Sequence, residues 1–266
     1  MLIAIVTVNL NDAAGLRATA ESVAAQQYRE REWLVIDGGS SDGSPEVIRA
    51  FAAQIAFSTS APDRGVYDAM NRGLRRARGD YVVFMNAGDR FADPRSLGRL
   101  AAALEVEPLP DLLLGGTVLA LPSGRQIYRP PRAPLPGLRC GRPAYHQAIA
   151  FRRDAHRLVP YDLGLPVSAD YGAIAALIAR GASARRLDRP LAIRRCDPDS
   201  LSERETWARF ADFVRVQREI LGKPWTEIAV NLARLTLVFA AYRTLRGRRR
   251  SPAPRPALAP PVEQIQ

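Results

Sequence analysis

Asp37 and Asp89 are the residues of this chain best placed to do chemistry. Asp37 follows the apolar run Trp33–Ile36 and opens the polar loop Asp37-Gly38-Gly39-Ser40-Ser41-Asp42-Gly43-Ser44. Asp89 follows the run Tyr81–Met85 through Asn86-Ala87-Gly88. A short continuous apolar run reads as a strand of a parallel sheet covered on both faces. Open α/β sheets bind their ligands just past the carboxyl ends of such strands. An ionised carboxylate at that edge only accepts hydrogen bonds, so it selects donors. The competing reading is a pair of turn acids in ordinary βαβ units.

Other chemistries lack their residues. Lys223 is the only lysine; it precedes Pro224 and follows no glycine-rich turn, so there is no phosphate-binding P-loop and no Schiff-base lysine. The glycines of the 37–44 loop do not match the G-x-G-x-x-G dinucleotide pattern, and His146 and His156 have no zinc-ligand spacing. The elements that must position the acids are legible. Leu2–Val8 is an aliphatic strand closed by the turn Asn9-Leu10-Asn11-Asp12, and a helix follows from about Gly15 to Gln27. The stretch Asp63-Arg64-Gly65-Val66-Tyr67-Asp68-Ala69-Met70-Asn71-Arg72-Gly73 reads as a polar loop and then a helix. Its Ala69, Gly73 and Ala77 share one face at helical spacing and permit close approach to another backbone. Right-handed crossovers bring the strand ends before Asp37 and Asp89 to one edge.

Further along, residues 111–121 read as a strand, with 126–129 as its hairpin partner and 129–143 as an irregular Pro- and Arg-rich loop. Ser168 is placed to cap a helix over 169–180 that Gly181 ends, 184–194 returns as a strand, and 203–221 is an amphipathic helix.

Together with His146-Gln147 and Ala169-Asp170-Tyr171, these motifs resemble the family 2 glycosyltransferases of GT-A fold, close to the colanic-acid-type and other cell-envelope polysaccharide and glycolipid transferases. The resemblance runs over about residues 1–195. It implies an α/β GT-A domain over 1–198 with a mixed, mainly parallel sheet, a helical appendage over 199–250, and a disordered Pro/Ala-rich tail over 251–266. The implied activity is inverting transfer of a sugar from a UDP-, GDP- or dTDP-linked donor to a hydroxyl of a lipid-linked saccharide or glycolipid. Asp37 would then accept from the nucleotide base, or simply satisfy its own turn. Asp63, Arg64, Asn71 and Asn86 would flank the nucleotide. Asp170 would be the general base, unless it only complements its helix dipole. His146 and Gln147 would touch the diphosphate or acceptor, with a structural histidine as the other reading.

Relatives place an acidic cluster where this chain has Asn86-Ala87-Gly88-Asp89, so Asp89 alone would hold Mg²⁺ or Mn²⁺ together with donor phosphates and water. Arg194-Arg195-Cys196-Asp197-Pro198-Asp199 also departs from the family's apolar strand and glycine turn. These departures keep a catalytically silent nucleotide-binding module as an alternative, and the charge admits a nucleic-acid-binding protein as a weaker one.

The chain has 266 residues and a formal charge of +11. From Arg243 onward six arginines face Glu263 alone. The aromatics are not interleaved with arginines as in a base-stacking module, so no nucleic-acid partner is expected. Trp225, Ile228, Leu232, Leu235, Phe239 and Tyr242 form a helical apolar stripe too short to span a bilayer. It is read either as an interfacial helix at the inner face of the cell membrane or as a helix packed on the domain. Met1 enters the first strand without a signal peptide, and Cys140 and Cys196 are read as free thiols, both of which fit a cytoplasmic enzyme.

Overall fold

The computed structural model describes residues 1–133, 138–139, 142–196 and 206–247, with the backbone alone for Thr206 and 238–247. Strand β1 (Ile3–Asn9) is buried along its whole length because both faces are covered. Ala4, Val6 and Val8 enter one core layer while Ile3 and Ile5 enter the other, the period of two of a strand. Strands β2 (Arg31–Asp37), β3 (Phe57–Ser60) and β4 (Tyr81–Phe84) run parallel to β1, with β1 between β2 and β4. Strand β5 (Arg90–Phe91) is short. Strand β6 (Leu112–Ala120) forms the expected hairpin with β7 (Gln126–Arg129), and it reaches β4 through the antiparallel β8 (Ile149–Arg152). Strand β9 (Ala184–Arg195) lies parallel to β6 and carries β5 at the far edge. Among the described residues the order is β3-β2-β1-β4-β8-β6-β9-β5, with β7 on β6, and six strands share one direction. The sheet is therefore mixed and mainly parallel.

Helices α1 (Ala13–Ala24), α2 (Ser44–Ala50) and α4 (Ser96–Leu104) supply Leu16, Val23, Val47 and Leu97 to one layer. The other layer takes Met70 and Leu74 of α3 (Val66–Arg76) and Ile174 of α6 (Ala169–Ala179), with the short α5 (Arg153–Leu158) nearby. The small face of α3 does what its spacing predicts. A Cβ built on Gly73 would stand 2.3 Å from Val6 Cγ1, so the helix lies directly on β1.

One expectation fails locally. Ser168 occupies the cap position of α6, but its side chain makes no cap bond. The Val167 and Ser168 N–H groups instead donate to Asp212 Oδ2 at 2.9 and 2.8 Å, from helix α7 (Thr206–Arg215). Gly181 does end α6, at φ +86°.

The apolar stripe of α8 (Trp225–Gly247) follows the packed reading in part. Ile228 is buried, and Leu232 and Leu235 pack against the core, so these members of the stripe face protein. The side chains of Phe239 and Tyr242, and residues 248–266 with their arginines and proposed tail, lie outside the described residues. So do 134–137, Cys140 and the 197–205 connection.

Candidate functional site

The carboxylates Asp37, Asp89 and Asp170 and the His146-Gln147 turn come to one edge of the sheet. The carboxyl ends of β1, β2, β4 and β9 meet there, and because β8 is antiparallel its start, preceded by the turn His146–Ala148, arrives at the same edge. The dipeptide His146-Gln147 joins the two candidate carboxylates. Gln147 Nε2 donates to Asp89 Oδ2 at 2.5 Å, and His146 Nδ1 lies 3.6 Å from Asp170 Oδ2.

Asp89 is buried at the floor, and its Oδ1 also accepts from the Arg195 N–H at 3.0 Å. Burial pushes its pKa up, against the opposing pull of Gln147, His146 and Arg194. The turn that presents it is held by Thr19, a residue the sequence reading passed over. Thr19 Oγ1 contacts the Asp89 carbonyl at 2.7 Å and accepts from Gly88 N–H at 3.0 Å. A polar residue within the apolar face of α1 is the sequence signal for it. Gly88, at φ +89°, lies beneath the Arg195 guanidinium, which pairs with Asp12.

Asp170 sits in the first turn of α6 and is buried. It pairs with Arg142, accepts from Tyr171 N–H at 2.9 Å, and lies 3.3 Å from the Tyr67 hydroxyl. Burial alone would raise its pKa, but Arg142 and His146 outweigh burial and hold it well below the usual carboxylate range. Arg142 also lies 5.0 Å from the centre of the Tyr145 ring, with Arg194 5.5 Å from the same ring. Arg142, Arg194 and Arg195 were not expected in the site. Their sequence signal was only an arginine-rich loop and an irregular strand end.

Of the two readings of Asp37, the bonds present are those of a residue that satisfies its own turn. Its carboxylate is inaccessible and fully used: Oδ1 accepts from Asn9 at 2.7 Å and Ser40 Oγ at 2.6 Å, and Oδ2 from Ser40 N–H at 2.9 Å and Ser60 Oγ at 2.6 Å. Burial would raise its pKa, yet these four bonds together lower it. The geometry makes Asp37 the organiser of the 38–44 loop rather than a surface for a ligand. Asp63 is better exposed. Its Oδ1 accepts from Gly65 N–H at 2.8 Å, and its Oδ2 lies 2.7 Å from where a Gly38 Cβ would stand.

Asn71 is likewise engaged within the fold. Its amide spans the Tyr161 backbone, Nδ2 donating at 2.8 Å and Oδ1 accepting at 2.9 Å, which commits both ends to packing. Arg64 is exposed at the mouth of the loop and pairs with Asp68 at 3.3 Å.

The oxygens around Asp89 suit a hard cation. The buried Asn86 Oδ1 and Gln147 Oε1 have no hydrogen-bond partner, and both belong to residues that adjoin Asp89, through the 86–89 turn and through the Gln147 Nε2 bond. The described residues hold no cluster of three or more His, Cys, Asp or Glu, so most of a metal's coordination would come from ligand and water.

The sequence model of glycosyl transferase family 2 matches residues 4–158. A PGL/p-HBAD biosynthesis glycosyltransferase of Mycobacterium bovis is 32% identical over 174 residues, covering 64% of this chain and 67% of that protein. An uncharacterized glycosyltransferase of Mycobacterium tuberculosis is 41% identical over 103 residues, and the chain spans only 39% of its length. Staphylococcus aureus TarS 1–349 in complex with UDP-GlcNAc superposes with a TM-score of 0.68 at 16% identity, over 89% of this chain and 72% of that one. A mannosyltransferase of Pyrobaculum calidifontis, in complex with GDP-Man and Mn²⁺, gives 0.62 at 16% identity, over 92% and 79%. These likenesses establish the GT-A fold.

Proposed function

The chain belongs to glycosyl transferase family 2, and from that premise we propose that it moves a sugar from a nucleoside-diphosphate sugar to an acceptor hydroxyl with inversion. The observation that carries this reading is the His146-Gln147 turn, whose adjacent side chains contact Asp89 and Asp170.

In this account Asp170 is the base. An inverting displacement needs a carboxylate on the acceptor side that takes the hydroxyl proton as the oxygen attacks the anomeric carbon. Arg142 keeps Asp170 ionised within a dry surrounding, and an arriving acceptor takes over the side of Oδ2 that Arg142 covers. Asp63 Oδ2 accepts from the nucleotide base, and glycine at 38 leaves room beside it for a flat ring. The guanidiniums of Arg194 and Arg195 supply positive charge near the departing diphosphate. Asp89 and Asn86 would hold Mg²⁺ or Mn²⁺, which when bound offsets the charge of the leaving group.

The acceptor is proposed to be a lipid-linked saccharide or glycolipid of the cell envelope, in keeping with the M. bovis relative's name. Work at the inner face of the cell membrane is part of the same proposal. It is supported by exposed Trp207, Trp225 and Leu237 on α7 and α8, beside a basic chain. No described helix is long and apolar enough to cross a membrane.

The test is a panel of UDP-, GDP- and dTDP-sugars. A true donor at about 100 times its Kd stabilises the fold by roughly 2.7 kcal/mol. With that donor the protein releases nucleoside diphosphate, and excess EDTA stops the release. Stabilisation without turnover would favour the silent binding module, and full activity in EDTA would leave the arginines as the only diphosphate clamp.

A further inference from the structure

The edge of the sheet opposite the acids carries an arginine-lined cleft. The starts of β2 and β3, the end of α3 and the turn after β8 enclose a cleft of about 370 Å³. Arg75, Arg76, Arg78, Arg153 and Arg157 line it, with Phe57 on an apolar wall.

The carboxylates available to these arginines are few and mostly engaged. Glu32, the one acid in the lining, already accepts at Oε1 from the backbone N–H groups of Arg78 and Gly79. Arg153 pairs with Asp154. Arg157 is occupied with the end of α3, donating to the Arg75 and Ala77 carbonyls at 3.1 and 2.7 Å. Arg76 lies 4.5 Å from the centre of the Phe57 ring. Among the described residues, Arg75, Arg76 and Arg78 have no carboxylate within salt-bridge distance. A helix C-terminus attracts one or two cations through its dipole. That accounts for Arg157 but not for five guanidiniums converging on one concavity with an apolar side.

We propose that this cleft binds a phosphate-bearing ligand, whose oxyanions fit guanidinium forks and whose ester stem lies against Phe57. The site is separate from the donor edge and does not rest on the glycosyl-transfer reading. The chemistry is shared by soluble phosphate esters and by anionic lipid headgroups, and two arms of one experiment separate them.

Wild type is compared with the full chain carrying Arg75→Ser and Arg78→Ser, both exposed positions outside the donor site. One arm titrates inorganic phosphate and pyrophosphate by calorimetry. The other measures co-sedimentation with phosphatidylglycerol vesicles against neutral phosphatidylcholine vesicles. Melting temperature and UDP affinity are measured on both proteins. If the serine pair melts early, the Arg75→Gln, Arg78→Gln pair, which keeps the side-chain stems, is read instead. We expect affinity in at least one arm to fall tenfold or more while UDP affinity is kept. A loss confined to vesicles identifies a lipid headgroup, and a loss in the phosphate arm identifies a soluble ester. Equal binding by wild type and variant in both arms overturns the proposal, as does a parallel loss of UDP binding, which would make these arginines part of the donor site.

Discussion

His156 makes the fold sensitive to mild acid. The ring is fully buried, stacked 4.4 Å from the Phe151 ring and edge-on to Phe84 and Tyr161. Nδ1 faces the Val159 carbonyl at 3.0 Å, and a carbonyl only accepts, so Nδ1 carries the proton. Nε2 is buried with no partner. Desolvation lowers the pKa from 6.5 to about 4. The unfolded chain therefore binds more protons than the folded one between those values, and stability falls as pH drops through that window. At pH 5 the loss relative to pH 8 is about 2 kcal/mol from this group, rising toward roughly 3 kcal/mol below pH 4. That is about 4–8 °C in melting temperature for a chain of this size. The assay is urea unfolding of wild type and His156→Phe at pH 8 and pH 5. Phenylalanine keeps the aromatic slot and cannot titrate, so its pH 8-to-5 loss should be smaller by about 2 kcal/mol. Equal losses in the two proteins would refute the argument, because other titrating groups are common to both.

Gly73→Ala places a methyl against Val6 and should destabilise the fold by about 1–3 kcal/mol, measured by denaturant unfolding; a neutral result would mean α3 shifts freely over β1. Ending the chain at Leu221 uncovers the surface that Ile228, Leu232 and Leu235 protect. It should cost at least about 3 kcal/mol, and an unchanged melting temperature would return the stripe to the membrane. Asp63→Asn keeps an acceptor for Gly65 but turns a donor toward the nucleotide, and should weaken UDP, GDP or dTDP binding at least about tenfold by calorimetry. Asp37→Ala instead strands the donors of Asn9, Ser40 and Ser60 and should lower stability by about 1–3 kcal/mol; the reverse pattern would restore Asp37 as the base contact.

The sheet was readable because its strands are covered on both faces, which makes β4 and the 33–36 part of β2 continuous apolar runs and leaves β1 apolar from Ile3 to Val8 but for Thr7. The small face of α3 was readable because Gly73, with Ala69 and Ala77 at helical spacing on the same face, leaves room for the close approach to Val6. Asp89 was legible from its place just past a strand end, whereas Asp170 and His146-Gln147 were singled out by their resemblance to the family's motifs. Asp37 was ambiguous for a different reason. Acceptance from a ligand and acceptance from Ser40, Ser60 and Asn9 require the same carboxylate, and the sequence does not choose between them. Asn71 shows the same ambiguity with an amide. Arg142 and Asp212 act across long sequence separations, from an irregular loop and an amphipathic helix, so no local pattern pointed to Asp170 or to the Val167-Ser168 backbone. The stripe of α8 has one periodicity whether it faces lipid or protein, and packing chose protein for Ile228.

The account centres on Asp170 as the base, and Asp170→Asn tests it most directly. The amide keeps the shape of the side chain and cannot accept the proton. Donor affinity is measured by calorimetry and transfer by nucleoside-diphosphate release with acceptor present. The account predicts donor affinity within about threefold of wild type, and transfer reduced by at least about a hundredfold, the usual effect of a lost general base. Transfer within about tenfold of wild type, with the fold intact, would contradict it and leave Asp170 as the partner of Arg142 and of its helix dipole alone.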